Sequence, residues 1–184
     1  MSTSALVLAE IVIAKFHDEG ESISQLKLQK ILYYIKGWSL YIEKQARFPE
    51  TLEAWDYGPL VYSVHQAYGR FGRGALTLEH AIYPADDLLI DAVIQVYGSY
   101  PAERLMALTH QDAPWRDFYR FGQDHTPIPD EALRAFFSQD AIKNPVHAKF
   151  LDTYAENKYG GLVHVDVPPP RPELIAALEA EFGL

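Results

Sequence analysis

Apolar residues recur along this chain mainly at three- and four-residue spacing, the period of an amphipathic helix. Residues 5 to 16 are nearly all apolar, with Ser4 as the expected cap of a first helix and Gly20 as its expected end. Ser22 and Gln25 read as a capping box for a second helix that reaches about Lys44. On it Leu28, Ile31, Leu32, Ile35, Trp38 and Ile42 fall on one face. Thr51 to Trp55 reads as a short extended piece. Gly58-Pro59 reads as the start of a helix to Tyr68, because proline suits the first helical position. Gly69, Gly72 and Gly74 mark a loop, and Leu76 to Tyr83 a short strand or extended link. Helices are then expected over Ala85 to Tyr97, from Pro101 to about Leu108, at Pro114-Trp115, and from Ile128 to about Gln139.

Asn144-Pro145 opens another helix, ended by Gly160-Gly161. Leu162 to Val167 alternates like a strand, Pro168 to Pro170 stiffen the backbone, and a last helix carries Leu174, Ile175, Leu178 and Phe182 on one stripe. The fold class predicted is mainly α. One compact helical domain with short extended segments covers about residues 1–140, and a strand-plus-helix appendage covers residues 141–184.

Composition narrows the function classes. The chain has 184 residues and no cysteine, which excludes a disulfide framework, a thiolate zinc site and a cysteine nucleophile. The formal net charge is -9, with most of the excess acidity after residue 85, so non-specific nucleic-acid binding is disfavoured. The apolar run at residues 5 to 16 has no basic segment before it and is too short to span a bilayer. The expectation is therefore a cytoplasmic protein with no membrane contact. Aromatic residues make up 13%, enough to serve a protein contact as well as a core.

The seven histidines show no metal-ligand spacing, and no phosphate loop or nucleophile elbow occurs, so no metal, cofactor or catalytic set is predicted. Lys27, Lys30, Tyr34 and Tyr41 lie near one stripe of the second helix, where they could stack bases and meet phosphates. In an acidic chain a solvated face or a protein contact is the better reading. Trp55-Asp56-Tyr57-Gly58-Pro59 supports two readings: a turn in which Trp55 plugs the core, or a rigid loop that presents its side chains. Leu108 to Trp115 reads as a second turn, where Thr109 or Asp112 caps and Trp115 packs.

Three stretches, in order, resemble the successive motifs of the Panacea domain of SocA-like antitoxins, a domain also seen in phage-associated proteins. They are Lys27-Leu28-Gln29-Lys30-Ile31-Leu32-Tyr33-Tyr34, then Ala54-Trp55-Asp56-Tyr57-Gly58-Pro59-Leu60-Val61, then Leu108-Thr109-His110 with Pro114-Trp115. Leu60 stands where the family has a small residue or valine. The resemblance implies a helical fold and an antitoxin that binds a cognate toxin. One family member acts as an adaptor to an unfoldase-protease, which makes such a protease a second implied partner. It carries over no catalytic residue. The expected partner-binding residues are Lys27, Lys30, Tyr34, Trp55, Tyr57, His110, Trp115, Leu174, Leu178 and Phe182. The alternative is an enzyme that reverses a toxin's modification at a His110/Asp112 site.

Overall fold

The computed structural model describes residues 3–77, 86–123 and 125–160. The expected features at residues 78–85 and 161–184, with Leu174, Leu178 and Phe182, lie outside the described residues. The mainly α class is borne out. Among the described residues there are eight α-helices and a small three-stranded antiparallel sheet, which packs chiefly on α2, α3 and α5.

Helix α1 (Ala5–Asp18) is capped by Ser4, whose hydroxyl accepts from the Val7 N–H at 3.3 Å, and Gly20 follows it at φ +74. Helix α2 (Gln25–Ile42) is the axis of the fold. Its cap is Ser24, not Ser22, and the Gln25 amide does not close a capping box. It donates to His65 instead. Nearly every α2 residue is buried, polar ones included, so it has no solvated face. The one-sided amphipathic helix expected from the pattern is in fact covered all round.

Strands β1 (Leu52–Trp55) and β2 (Gly58–Val61) form a hairpin with Asp56 and Tyr57 as its two-residue loop, and β3 (Thr126–Ile128) pairs on the other side of β1. The helix expected to start at Gly58-Pro59 is therefore a strand, and α3 (Tyr62–Tyr68) starts only after it. Pro59 and Pro127 both sit on edge strands, where a missing N–H breaks no ladder. Gly58 has φ +95, and a Cβ there would lie 2.7 Å from Lys30 Nζ and 2.9 Å from Thr109 Oγ1. Only glycine lets the hairpin approach α2 this closely.

Helix α4 (Leu88–Tyr97) starts at Asp87, whose carboxylate accepts from the Leu89 and Ile90 N–H groups. Helices α5 (Ala102–Gln111) and α6 (Ala113–Arg116) meet at Asp112. The helix expected over 128–139 is α7 (Asp130–Ala135), which continues as a π-turn at Phe136–Asp140. Helix α8 (Pro145–Tyr159) is capped by the Asn144 side chain and ends at Gly160, φ +65. It packs against α4 and sends His147, Phe150, Leu151 and Tyr154 into the shared core. The domain boundary expected near residue 140 falls inside this core. No helix among the described residues is long and apolar enough to cross a membrane.

Candidate functional site

The three sequence motifs meet around the β1–β2 hairpin. Gln29 clamps the edge strand: its amide oxygen accepts from the Val61 N–H at 2.8 Å, and its NH2 donates to the Val61 carbonyl at 3.3 Å. One residue on, the Lys30 ammonium donates to the Pro59 carbonyl at 2.9 Å. From the third motif, the Trp115 indole donates to the Trp55 carbonyl at 2.8 Å. Helix α2 and the α5–α6 corner thus hold the hairpin on both sides.

Behind the hairpin runs a fully buried polar chain. The Trp38 indole donates to the Tyr97 hydroxyl at 3.1 Å, which lies 2.9 Å from His147 Nδ1. His147 Nε2 is 3.2 Å from one Asp112 oxygen, and the Tyr33 hydroxyl donates to the other at 3.1 Å. Burial and the Asp112 charge push the Tyr33 hydroxyl well above its ordinary pKa. Asp112 stands at the N-cap position of α6, but its side chain makes no capping bond; the carboxylate is taken up by Tyr33 and His147 rather than by His110. The His110 ring lies face-on against Trp115, centroids 3.9 Å apart, and Trp115 against Tyr119 at 4.5 Å. Burial first, then nearby Lys30, lowers the His110 pKa below its usual value, against a hydrogen bond that the imidazole donates to the Asp56 backbone carbonyl.

The outer face of the hairpin is aromatic. Trp55 does not plug the core; it is half-buried, with Tyr62 stacked on it and His125 edge-on at 4.5 Å. Glu53 accepts from the Trp55 indole at 2.9 Å and sits 3.0 Å from His125 Nδ1. His125 holds φ +66, a strained value for a residue with a side chain. At the tip Tyr57 is 64% exposed. The Tyr119 hydroxyl donates to Asp56 at 2.7 Å, and this ties to the tip the loop that carries Phe121, 90% exposed.

The expected binding residues divide accordingly. Trp55 and Tyr57 line one open pocket with Lys30, and His110 and Trp115 form the layer behind them. Tyr34 is buried, stacked on Tyr97 at 3.9 Å, and Lys27 holds its ammonium 4.8 Å above the Phe16 ring. The basic, aromatic surface stripe on α2 therefore does not exist. Tyr62, Phe121 and His125 were missed, because only the fold brings them to the hairpin. No group of three metal-ligating side chains occurs among the described residues.

Residues 28–116 match the model of the antitoxin SocA-like Panacea domain. That stretch covers the three motifs almost entirely, and the match supports an antitoxin role with a toxin as partner. No curated protein and no solved structure matches the chain.

Proposed function

We propose that this chain, whose residues 28–116 match the SocA-like Panacea domain, is an antitoxin that neutralises its cognate toxin by direct protein–protein contact. The observation that carries this reading is the convergence of the three motifs on one hairpin. They hold it rigidly and leave Tyr57 and Phe121 facing outward. Large exposed aromatic rings on a rigid support are typical anchors of protein contacts, since little conformational entropy is lost when they bind. The acidic chain would steer a basic, nucleotide- or RNA-binding toxin toward this face.

The contact surface in this reading is Trp55, Tyr57, Tyr62 and Phe121, with His110, Trp115 and Lys30 as support. Residues 162–184 add partner-specific contact through Leu174, Leu178 and Phe182. Delivery of the bound toxin to an unfoldase-protease in the cytoplasm is the further step the family resemblance implies. An enzyme built on His110 and Asp112 has less support, because Tyr33 and His147 take up the Asp112 carboxylate in the core.

The test is co-expression with the product of the adjacent reading frame. The expected result is rescue of growth together with a stable complex on size exclusion. Rescue by a chain that forms no complex would point to the enzyme reading, and growth arrest beside a folded chain would overturn the antitoxin reading.

A further inference from the structure

Two lysines on α2 are almost completely buried, and they are compensated very differently. Lys36 is 1% exposed, donates to the Glu50 carbonyl at 2.7 Å and pairs with the Asp130 carboxylate at 2.8 Å. Lys30 is also 1% exposed, yet its one hydrogen bond is to the neutral Pro59 carbonyl, and no carboxylate among the described residues pairs with it. A buried ammonium without a counter-ion is costly, and such groups are as a rule paired.

Lys30 lines an open pocket of about 500 Å³ between the start of α2, the hairpin and α5. The volume is in the range of small-ligand sites. Trp55, Tyr57, Leu60 and Met106 give the pocket apolar walls, and Arg73 adds a second cation. The neighbouring glutamines are occupied: Gln25 by His65 and Gln29 by Val61. Lys30 is left as the buried cation with donors to spare.

We infer that this pocket binds a carboxylate carried on a small apolar body, with Lys30 as the counter-ion of that carboxylate. Trp55, Tyr57, Leu60 and Met106 take the apolar body. A phosphate dianion fits less well, because Glu103 lines the same pocket and repels two negative charges more strongly than one. Burial lowers the Lys30 pKa to about 7, so the free pocket holds an amine poised to take up a proton when an anion arrives. The inference does not rest on toxin binding, and its test contains no toxin.

The test titrates the full-length, 15N-labelled chain with N-acetyl-L-phenylalanine and with its neutral amide, on the acid side of the Lys30 pKa. The readout is the Trp55 indole signal, one of three in the chain, assigned through Trp55→Phe. The acid is expected to bind roughly tenfold or more tightly than the amide, and Lys30→Met to abolish the difference. Equal binding of acid and amide, no Trp55 shift by either at millimolar concentration, or a difference that survives in folded Lys30→Met would overturn the inference.

A pH series on the unmodified chain gives a second reading that needs no variant. The acid's advantage should fall as pH rises through about 7, where Lys30 loses its proton. The other charged or titratable groups around it are His110 and Glu103 on α5, His65 on α3, Arg73 in the glycine loop and Tyr57 in the hairpin. His110, its pKa lowered by burial, would place a loss below 7, so an advantage that is flat through 7 and above contradicts a role for Lys30. A short peptide with a free C-terminal phenylalanine identifies the source. Tighter binding than the single residue points to a polypeptide C-terminus, and equal binding to a free small acid.

Discussion

His147 on α8 and Asp112 at the α5–α6 corner meet at 3.2 Å, both side chains almost completely buried. Residue 112 belongs to the stretch that matches the family, and residue 147 lies beyond it. The polar core of the stretch that matches the family model is thus completed by a group supplied from outside that stretch. The same imidazole reaches the Tyr97 hydroxyl, which in turn accepts from Trp38. A chain of donors and acceptors this deep is stable only when every member is paired.

Removing one member leaves the other uncompensated. His147→Ala or Asp112→Ala is expected to cost on the order of 3–5 kcal/mol in denaturant unfolding. The double variant should cost clearly less than the sum. Single-variant losses under about 1 kcal/mol would show that water reaches and satisfies the remaining partner.

Gly37 lies in the middle of α2, where alanine would ordinarily favour the helix by about 1 kcal/mol. Here an added Cβ would run into the Phe137 ring, which the close packing of α2 against the π-turn puts in its way. Gly37→Ala is therefore expected to destabilise by about 1–3 kcal/mol despite its helix propensity. Phe137→Leu in the same background should recover part of that loss. A stabilised Gly37→Ala protein in thermal melts would contradict this packing.

Lys30 makes stability depend on pH with a definite sign. Its pKa is lowered from 10.5 to about 7 in the folded state, so the unfolded chain binds more protons between those values. Stability should rise with pH across that window, by on the order of 4 kcal/mol in all, and be flat below it as far as Lys30 is concerned. Lys27 and Lys44, both lowered by burial, act in the same direction. Near the top of the window the buried Tyr33, Tyr34 and Tyr97, all raised, act the other way. Comparison with Lys30→Met isolates the lysine: the variant should lose most of the rise between about pH 7 and 9. Parallel curves for the two proteins would contradict the assignment.

Local signals were legible in the sequence where they act locally. Ser4 caps α1, Asn144-Pro145 opens α8 and Gly160 ends it, each through contacts within a few residues. Gly58-Pro59 misled because proline suits both a helix start and an edge strand, and only pairing with Ala54 and Trp55 decides between them. Strand β3 was missed because three residues with a central proline carry no alternation. The buried polar positions of α2 looked like a solvated side because their partners are distant: Lys36 finds Asp130, Gln29 finds Val61 and Tyr33 finds Asp112. His147 gave no signal at all, since neither its neighbours nor its spacing marks it. The motifs could be read from the sequence and converge on the hairpin, whereas the aromatic rim of Tyr62, Phe121 and His125 is brought there only by the fold.

Trp55 is half-buried and stacked on Tyr62, not sunk in the core. Trp55→Ala should therefore cost less than the roughly 3–5 kcal/mol typical of a fully buried tryptophan. A loss in that full range on thermal unfolding would mean that the hairpin is part of the core's support.

The most direct test of the central claim is the dissociation constant of the toxin complex for Tyr57→Ala and Phe121→Ala, beside Lys149→Ala on α8 as an exposed control. Both aromatic side chains are mostly exposed, so melting temperatures should stay close to that of the unmodified chain. Binding should weaken about tenfold or more for each aromatic variant and not for the control. Unchanged affinity in both aromatic variants would contradict the claim that the hairpin face neutralises the toxin.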